Sequence, residues 1–280
     1  MELLSKKRCI IGEGPIWNAA EETLYYVNAM DDEVCTYAQN GQETVRKDAY
    51  SVGAMGFTKE GKMLASCTDG VFILHEDGSR TPLAAEGEHA PIYCNDAKVG
   101  PDGRFYVGTQ SRKRLGLSDA VDGCFYSIDR NGKVKMLLTG LRLSNGFDWS
   151  MDEKFLYHTD SDTHTIREYA FDKVSGEISY TGREVSVPGV DGLTMGRDGC
   201  IYAACWGRGH VAVVDCASMT VVRHIETPVK IPVSCCFMGK NMDRLVIVTA
   251  SYGKESQTPL AGCTFVCDPG TTGRLPYLFG

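Results

Sequence analysis

Short apolar runs separated by polar turns fill the chain, and they return with a long period. Six such runs, TLYYVNA, KMLASCT, RFYVGTQ, KFLYHTD, CIYAACW and RLVIVTA, each follow a turn: NAAEE, TKEGK, GPDGR, SMDEK, GRDG and GKNMDR. Gly, Asp and Asn in those turns supply the positive φ or the side-chain-to-backbone bonds that a tight hairpin needs. Across a further polar joint comes a second set of runs: EVCTYA, GVFILHE, CFYSID, TIREYAF, HVAVVD and GCTFVCD. A weaker strand pattern follows in TVRKDA, VKMLLT, ISYTGRE and TVVRHIE. No stretch of more than a few residues carries helical periodicity. Short, evenly spaced strands predict an all-β sandwich, barrel or propeller.

One phrase stands ahead of each unit. It reads Glu13-Gly14-Pro15, Asn95-Asp96-Ala97, Asn145-Gly146-Phe147 and Asp191-Gly192-Leu193, with Gly53 and Val233 at the same phase in the other two copies. These fixed points lie roughly 40–50 residues apart, the length of one four-stranded propeller blade. The pattern therefore predicts an all-β fold, a six-bladed β-propeller of four-stranded antiparallel blades, spanning residues 1–280 as one domain. An open array would leave a bare strand edge. The N-terminal ELLSKKRCII is expected to close the ring as the outer strand of the last blade, with the C-terminal RLPYLFG beside or over that seam. Longer insertions fall at TQSRKRLGLSDAVDG, AAEGEHAPIYC and SYGKESQTPLAG, and loops of that length in a compact ring are where substrate contacts usually lie.

Composition narrows the function. A net charge of −7 gives no electrostatic footprint for nucleic acid. Neither a secretion signal nor a membrane span is readable, so the reading expects a cytoplasmic protein without a membrane partner. The 12 cysteines then read as reduced thiols, most of them packed in apolar strands, and no CxxC pair is present.

Equivalent positions of successive blades converge on the central channel. Glu13, Asn95, Asn145 and Asp191 would thus meet at one spot, and two carboxylates with two amides are costly to bury without a partner. A hard divalent cation resolves that cost, because carboxylate and amide oxygens are its preferred ligands. Asn or Asp before Gly is also a turn signal, but Glu is a poor turn former, and four polar groups in register favour the cation. His158, His164, His210 and His224 sit in or beside strands of different repeats, share no phase, and are not assigned as ligands. Trp17 and Trp149 read as core between blades, Cys94 as packing, and Met55 and Tyr252 as apolar walls.

Along nearly its whole length the chain resembles the senescence-marker-protein, regucalcin and gluconolactonase family. The resemblance is carried by GEGPIW, NDAKVGPDGRFYVGT, LSNGFDWSMDEKFLYHTDS, VDGLTMGRDGCIYAACWG and SCCF. It implies a six-bladed propeller with one divalent metal ion (Ca2+, Zn2+, Mg2+ or Mn2+) held by Glu13, Asn145 and Asp191. Asn95 matches an asparagine that contacts substrate or a metal-bound water, and many members hydrolyse aldonolactones. Under that resemblance Asp191 would also orient or deprotonate the attacking water, and Asn95 would donate to the developing oxyanion. Trp206 falls where members line the pocket wall, and His89 lies in a loop able to fold over the mouth.

Departures from the family concern the rim. Tyr93-Cys94-Asn95 replaces an Arg-x-Asn pattern, and the basic Gln110-Ser111-Arg112-Lys113-Arg114 replaces a loop with a substrate-contacting acid. Tyr93, Gln110 and Arg112 are expected to contact substrate, and a cationic rim favours an anionic lactone, uronic-acid-derived or phosphorylated. The functional expectation is a metal-dependent lactonase acting on a small sugar lactone, as a monomer or small homo-oligomer. A hydrolase of another activated ester such as a phosphotriester, and a non-catalytic calcium-binding protein, are the alternatives.

Overall fold

The computed structural model describes residues 1–47, 50–75, 77–84, 90–253 and 258–280. Six four-stranded antiparallel sheets stand around a central channel. Their inner strands are Gly12–Asn18, Val52–Phe57, Cys94–Val99, Ser144–Trp149, Val190–Met195 and Pro232–Met238, one for each repeat of the phrase. The six-bladed propeller expected from the period is the fold observed. The only helical element among the described residues is the short 3-10 turn Ser161–Thr163.

Both faces of the inner and second strands are covered by neighbouring blades. The second strands consequently read as near-continuous apolar runs, and Phe105–Thr109 is buried at every position. Outer strands face solvent on one side, which is why Ile178–Ser186 is mostly exposed and was faint in the pattern. Blade two has its outer strand at Arg80–Ala84, absent from the expected set. Pro82 lowers its strand signal, and an edge is where a sheet tolerates a residue without an N–H. Trp17 and Trp149 are buried in the inter-blade core as expected. Trp149 packs edge-on to Tyr106, with ring centroids 4.9 Å apart, in a cluster with Phe125, Phe147 and Phe171.

The ring closes through its N-terminus. Glu2–Ser5 pairs antiparallel with Thr264–Cys267 and completes blade six as its outer strand. The C-terminal tail departs from expectation, because it does not lie on that seam. The chain leaves strand Thr264–Cys267 at the end of the blade opposite Asp191, with the outer position already filled by Glu2–Ser5. Residues 268–280 instead cross the far mouth of the channel. Gly273 N–H donates to Met242 O at 2.7 Å, Phe279 N–H to Phe57 O at 2.9 Å, and Gly280 N–H to Gly103 O at 3.1 Å. Arg274 anchors the crossing on Asp148 and on the carbonyls of Trp149 (2.7 Å) and Ser150 (3.1 Å). The tail is a floor for the channel.

Candidate metal centre and substrate cavity

Every inner strand breaks register with its neighbour at the same phase. The slips fall at Glu13/Ile16, Val52/Ala54, Cys94/Ala97, Asn145/Phe147, Val190/Leu193 and Pro232/Ser234. A bulge releases one residue from strict alternation and re-aims its side chain, and here it does so six times around one axis. Close approach of neighbouring strands explains the glycines at or just after the fixed point. A Cβ on Gly146 would collide with Asp191 O, and one on Gly192 with Ser234 Oγ. At Gly53 it would lie 2.6 Å from Asn95 O. Asn145-Gly146 and Asp191-Gly192 therefore mark close approach of neighbouring strands rather than turns.

Asn145 and Asp191 meet directly, the Asn145 Nδ2 donating to Asp191 Oδ1, and both are almost fully buried. Asn145 Oδ1 accepts from Gly146 N–H at 3.1 Å and keeps a further lone pair. Glu13, half-buried, accepts from Gly14 N–H at 3.3 Å through Oε2. The strand before Asn145 is locked from behind: Asp160 accepts from Arg142 N–H at 2.9 Å and Leu143 N–H at 3.0 Å, and Ser144 Oγ bonds His158 Nε2 at 2.8 Å. His158 is accordingly a support; burial, with the Arg167 charge, lowers its pKa to about 3. Asn95 Nδ2 donates to Ser144 O at 3.1 Å, while Ser66 Oγ donates to Asn95 O at 3.1 Å.

The electrostatics are those of buried acids crowded together. Burial first, then the charges of Asp191 and Asp96, raises the Glu13 pKa well above the carboxylate range; the Gly14 N–H opposes this weakly. Burial and Asp96 push Asp191 up to about 8, against the Asn145 bond and the field of Arg114. Among the described residues neither Glu13 nor Asp191 makes an ion pair. Asp96, raised to about 6 chiefly by burial, is a third acid that the sequence reading passed over. Its signal was present, since Asn95-Asp96 is the one copy of the phrase whose second residue is an acid. The donor set fits a hard divalent cation: Glu13, Asn145 and Asp191 supply oxygens to a common place, and a 2+ charge would relieve their repulsion.

These groups open into a cavity of about 910 Å³ at the Asp191 end of the channel. Gln110, Asn95 and Trp206 line it, as does Tyr252, whose ring lies 6.2 Å from that of Trp206. Tyr93 does not line it: its backbone sits at φ 56°, and it is Cys94 beside it that borders the space. Arg112 is also outside, because its guanidinium and its N–H both bond Asp122 at the surface. Arg114 takes that place, paired with Asp162 at 3.4 Å, and Arg208 and Lys230 join the wall. Met55 borders the opposite, floor-side cavity and is core. His89 lies outside the described residues. Cys94 is buried with its thiol toward Pro91 O at 3.4 Å, as packing requires. His210 and His224 belong to one blade, on adjacent strands, and not to separate repeats.

Below the acids the channel is sealed by charge. Asp148 faces Arg274, and Lys98 Nζ reaches Asp148 Oδ2 at 3.3 Å and Leu193 O at 3.2 Å. Burial alone would raise the Asp148 pKa, but Arg274, Lys98 and the N–H groups of Trp149 and Met195 bring it down to about 2. The floor is thus an internally neutralised network, whereas the acids above it are not.

Comparison with known proteins bears on the whole ring. Regucalcin from Danio rerio is 27% identical over 292 residues, covering 100% of this chain and 98% of that protein. Pentonolactonase XacC from Haloferax volcanii is 29% identical, covering 96% and 94%. The crystal structure of a calcium-binding protein, regucalcin, from Agrobacterium tumefaciens superposes with a TM-score of 0.88 at 24% identity, over 100% of this chain and 97% of that one. Residues 11–251 match the SMP-30/Gluconolactonase/LRE-like region, a span that holds all six fixed points and all three oxygen donors, so the chain belongs to that family.

Proposed function

We propose that this protein is a divalent-metal-dependent hydrolase that opens a sugar lactone, aldono- or uronic-acid-derived, to the free acid. The observation that carries the reading is the Asn145–Asp191 contact beside Glu13, at the inner end of a 910 Å³ cavity, with no ion pair to either carboxylate among the described residues. A lactonase relative and a calcium-binding relative of the same family support the reading from outside.

Glu13, Asn145 and Asp191 would hold the ion, and their all-oxygen character favours calcium or magnesium over softer metals. A bound ion would polarise the lactone carbonyl and acidify a water. Asp191, with one oxygen on Asn145, has a second oxygen to orient that water and take its proton. Asn95 gives one N–H to Ser144 O and keeps its other N–H for a substrate oxygen. Trp206 and Tyr252 offer aromatic surface to a sugar ring, while Arg114, Arg208 and Lys230 favour an anionic substituent. A site that only stored calcium would need no cavity of this size, which favours the catalytic reading over calcium binding alone. None of the 12 cysteines is in a disulfide, which suits a reducing compartment; no described helix is long and apolar enough to cross a membrane.

The test is a panel of aldono- and uronolactones followed by acid release, with protein stripped by chelator and then reloaded. At least one lactone should be opened only in the reloaded state. Absence of metal-dependent turnover on every lactone would refute the proposal.

A further inference from the structure

The outer half of blade five carries donors that the channel does not use. His210 begins the third strand, His210–Asp215, and His224 and Glu226 end the fourth, Thr220–Glu226. The register sets His210 opposite Glu226 and Ala212 opposite His224. Side chains alternate along a strand, so these four share one face of the sheet. Ala212 leaves the middle of that face open. The two imidazoles lie 4.1 Å apart, nearly parallel, and one donor atom from each of His210, His224 and Glu226 falls within 4.8 Å of the others. His224 and Glu226 are exposed, and neither side chain has a hydrogen bond or ion pair among the described residues.

We propose that His210, His224 and Glu226 form a second metal site, on the propeller surface, that takes a borderline transition ion such as Zn2+ or Cu2+. Two imidazoles and one carboxylate are a donor set for such ions, with coordination positions left to water. Calcium requires six to eight oxygens, which this face does not supply. The site lies at the Asp191 end of blade five but on its two outer strands, about 10–15 Å from the channel at the usual strand spacing. An ion there would tie the edge strand Thr220–Glu226 to its neighbour.

Zinc titration of chelator-stripped protein against a chromophoric chelator tests this in wild type, Asp191→Ala and the double variant His210→Ala/His224→Ala. The double variant should bind one Zn2+ fewer per chain than wild type, and Asp191→Ala should retain the surface site. Bound Cu2+ should show nitrogen hyperfine coupling in wild type that the double variant loses, while excess Ca2+ should not displace the ion. Circular dichroism confirms that each variant is folded. Glu226→Gln, which preserves shape, should weaken the site at least about tenfold, as losses from around metal sites do. Equal zinc stoichiometry in wild type and double variant, unchanged nitrogen coupling, or loss of the surface ion in Asp191→Ala would overturn the proposal.

Discussion

Asn145 and Asp191, 46 residues apart in sequence and one blade apart in space, are joined side chain to side chain at the channel axis. Their contact depends on backbone geometry, because Gly146 and Gly192 let the inner strands of blades four, five and six approach more closely than any Cβ would allow.

Gly146→Ala should therefore act on stability and metal binding together. Overpacking of this kind costs about 1–3 kcal/mol, and it pushes against Asp191 O itself. Urea unfolding with chelator present should show the lower stability, and ion titration a weaker site. A variant of wild-type stability would mean that the strands can separate without loss.

The floor gives an acid-stability prediction with a definite sign. Asp148 has a folded pKa of about 2, below its ordinary 3.8, so it stabilises the fold above the unfolded value and loses that contribution as pH falls through about 2. The window is about pH 4 to 2, and the shift corresponds to roughly 2–3 kcal/mol. Arg274→Ala leaves the buried carboxylate with Lys98 as its only cationic partner among the described residues and should cost about 3–5 kcal/mol at neutral pH. Denaturant midpoints across that pH range, in wild type and variant, check both; a pH dependence unaffected by Arg274→Ala would contradict the assignment.

The two arginines of the blade-three loop should separate cleanly. Arg114→Ala should raise KM for anionic lactones more than for neutral ones, since Arg114 lines the cavity. Arg112→Ala, whose partner Asp122 is at the surface, should leave KM unchanged and alter stability by no more than about 0.5 kcal/mol. Equal effects of the two on anionic substrates would show that the loop acts only through its total charge.

How much of this was legible follows from which interactions are local or periodic. Blade period, inner-strand phase and the four polar fixed points Glu13, Asn95, Asn145 and Asp191 are repeated signals, so they could be read by aligning the chain with itself; the narrower set of Glu13, Asn145 and Asp191 rested on the family resemblance. The Asp148–Arg274 pair spans 126 residues and repeats nowhere, so nothing in the sequence pointed to it. Arg112 and Arg114 are two positions apart in an insertion with no strand pattern to assign their faces, and only the Asp122 contact decides between them. His210 and His224 share no phase with the other repeats and so were not assigned as ligands, whereas they meet across adjacent strands of one blade.

Asp191→Ala measured for ion binding and lactone turnover in the same preparation tests the central claim most directly. The account predicts that the folded variant loses the channel ion and metal-dependent lactone opening together. Turnover at the wild-type rate with the channel ion still bound would contradict it.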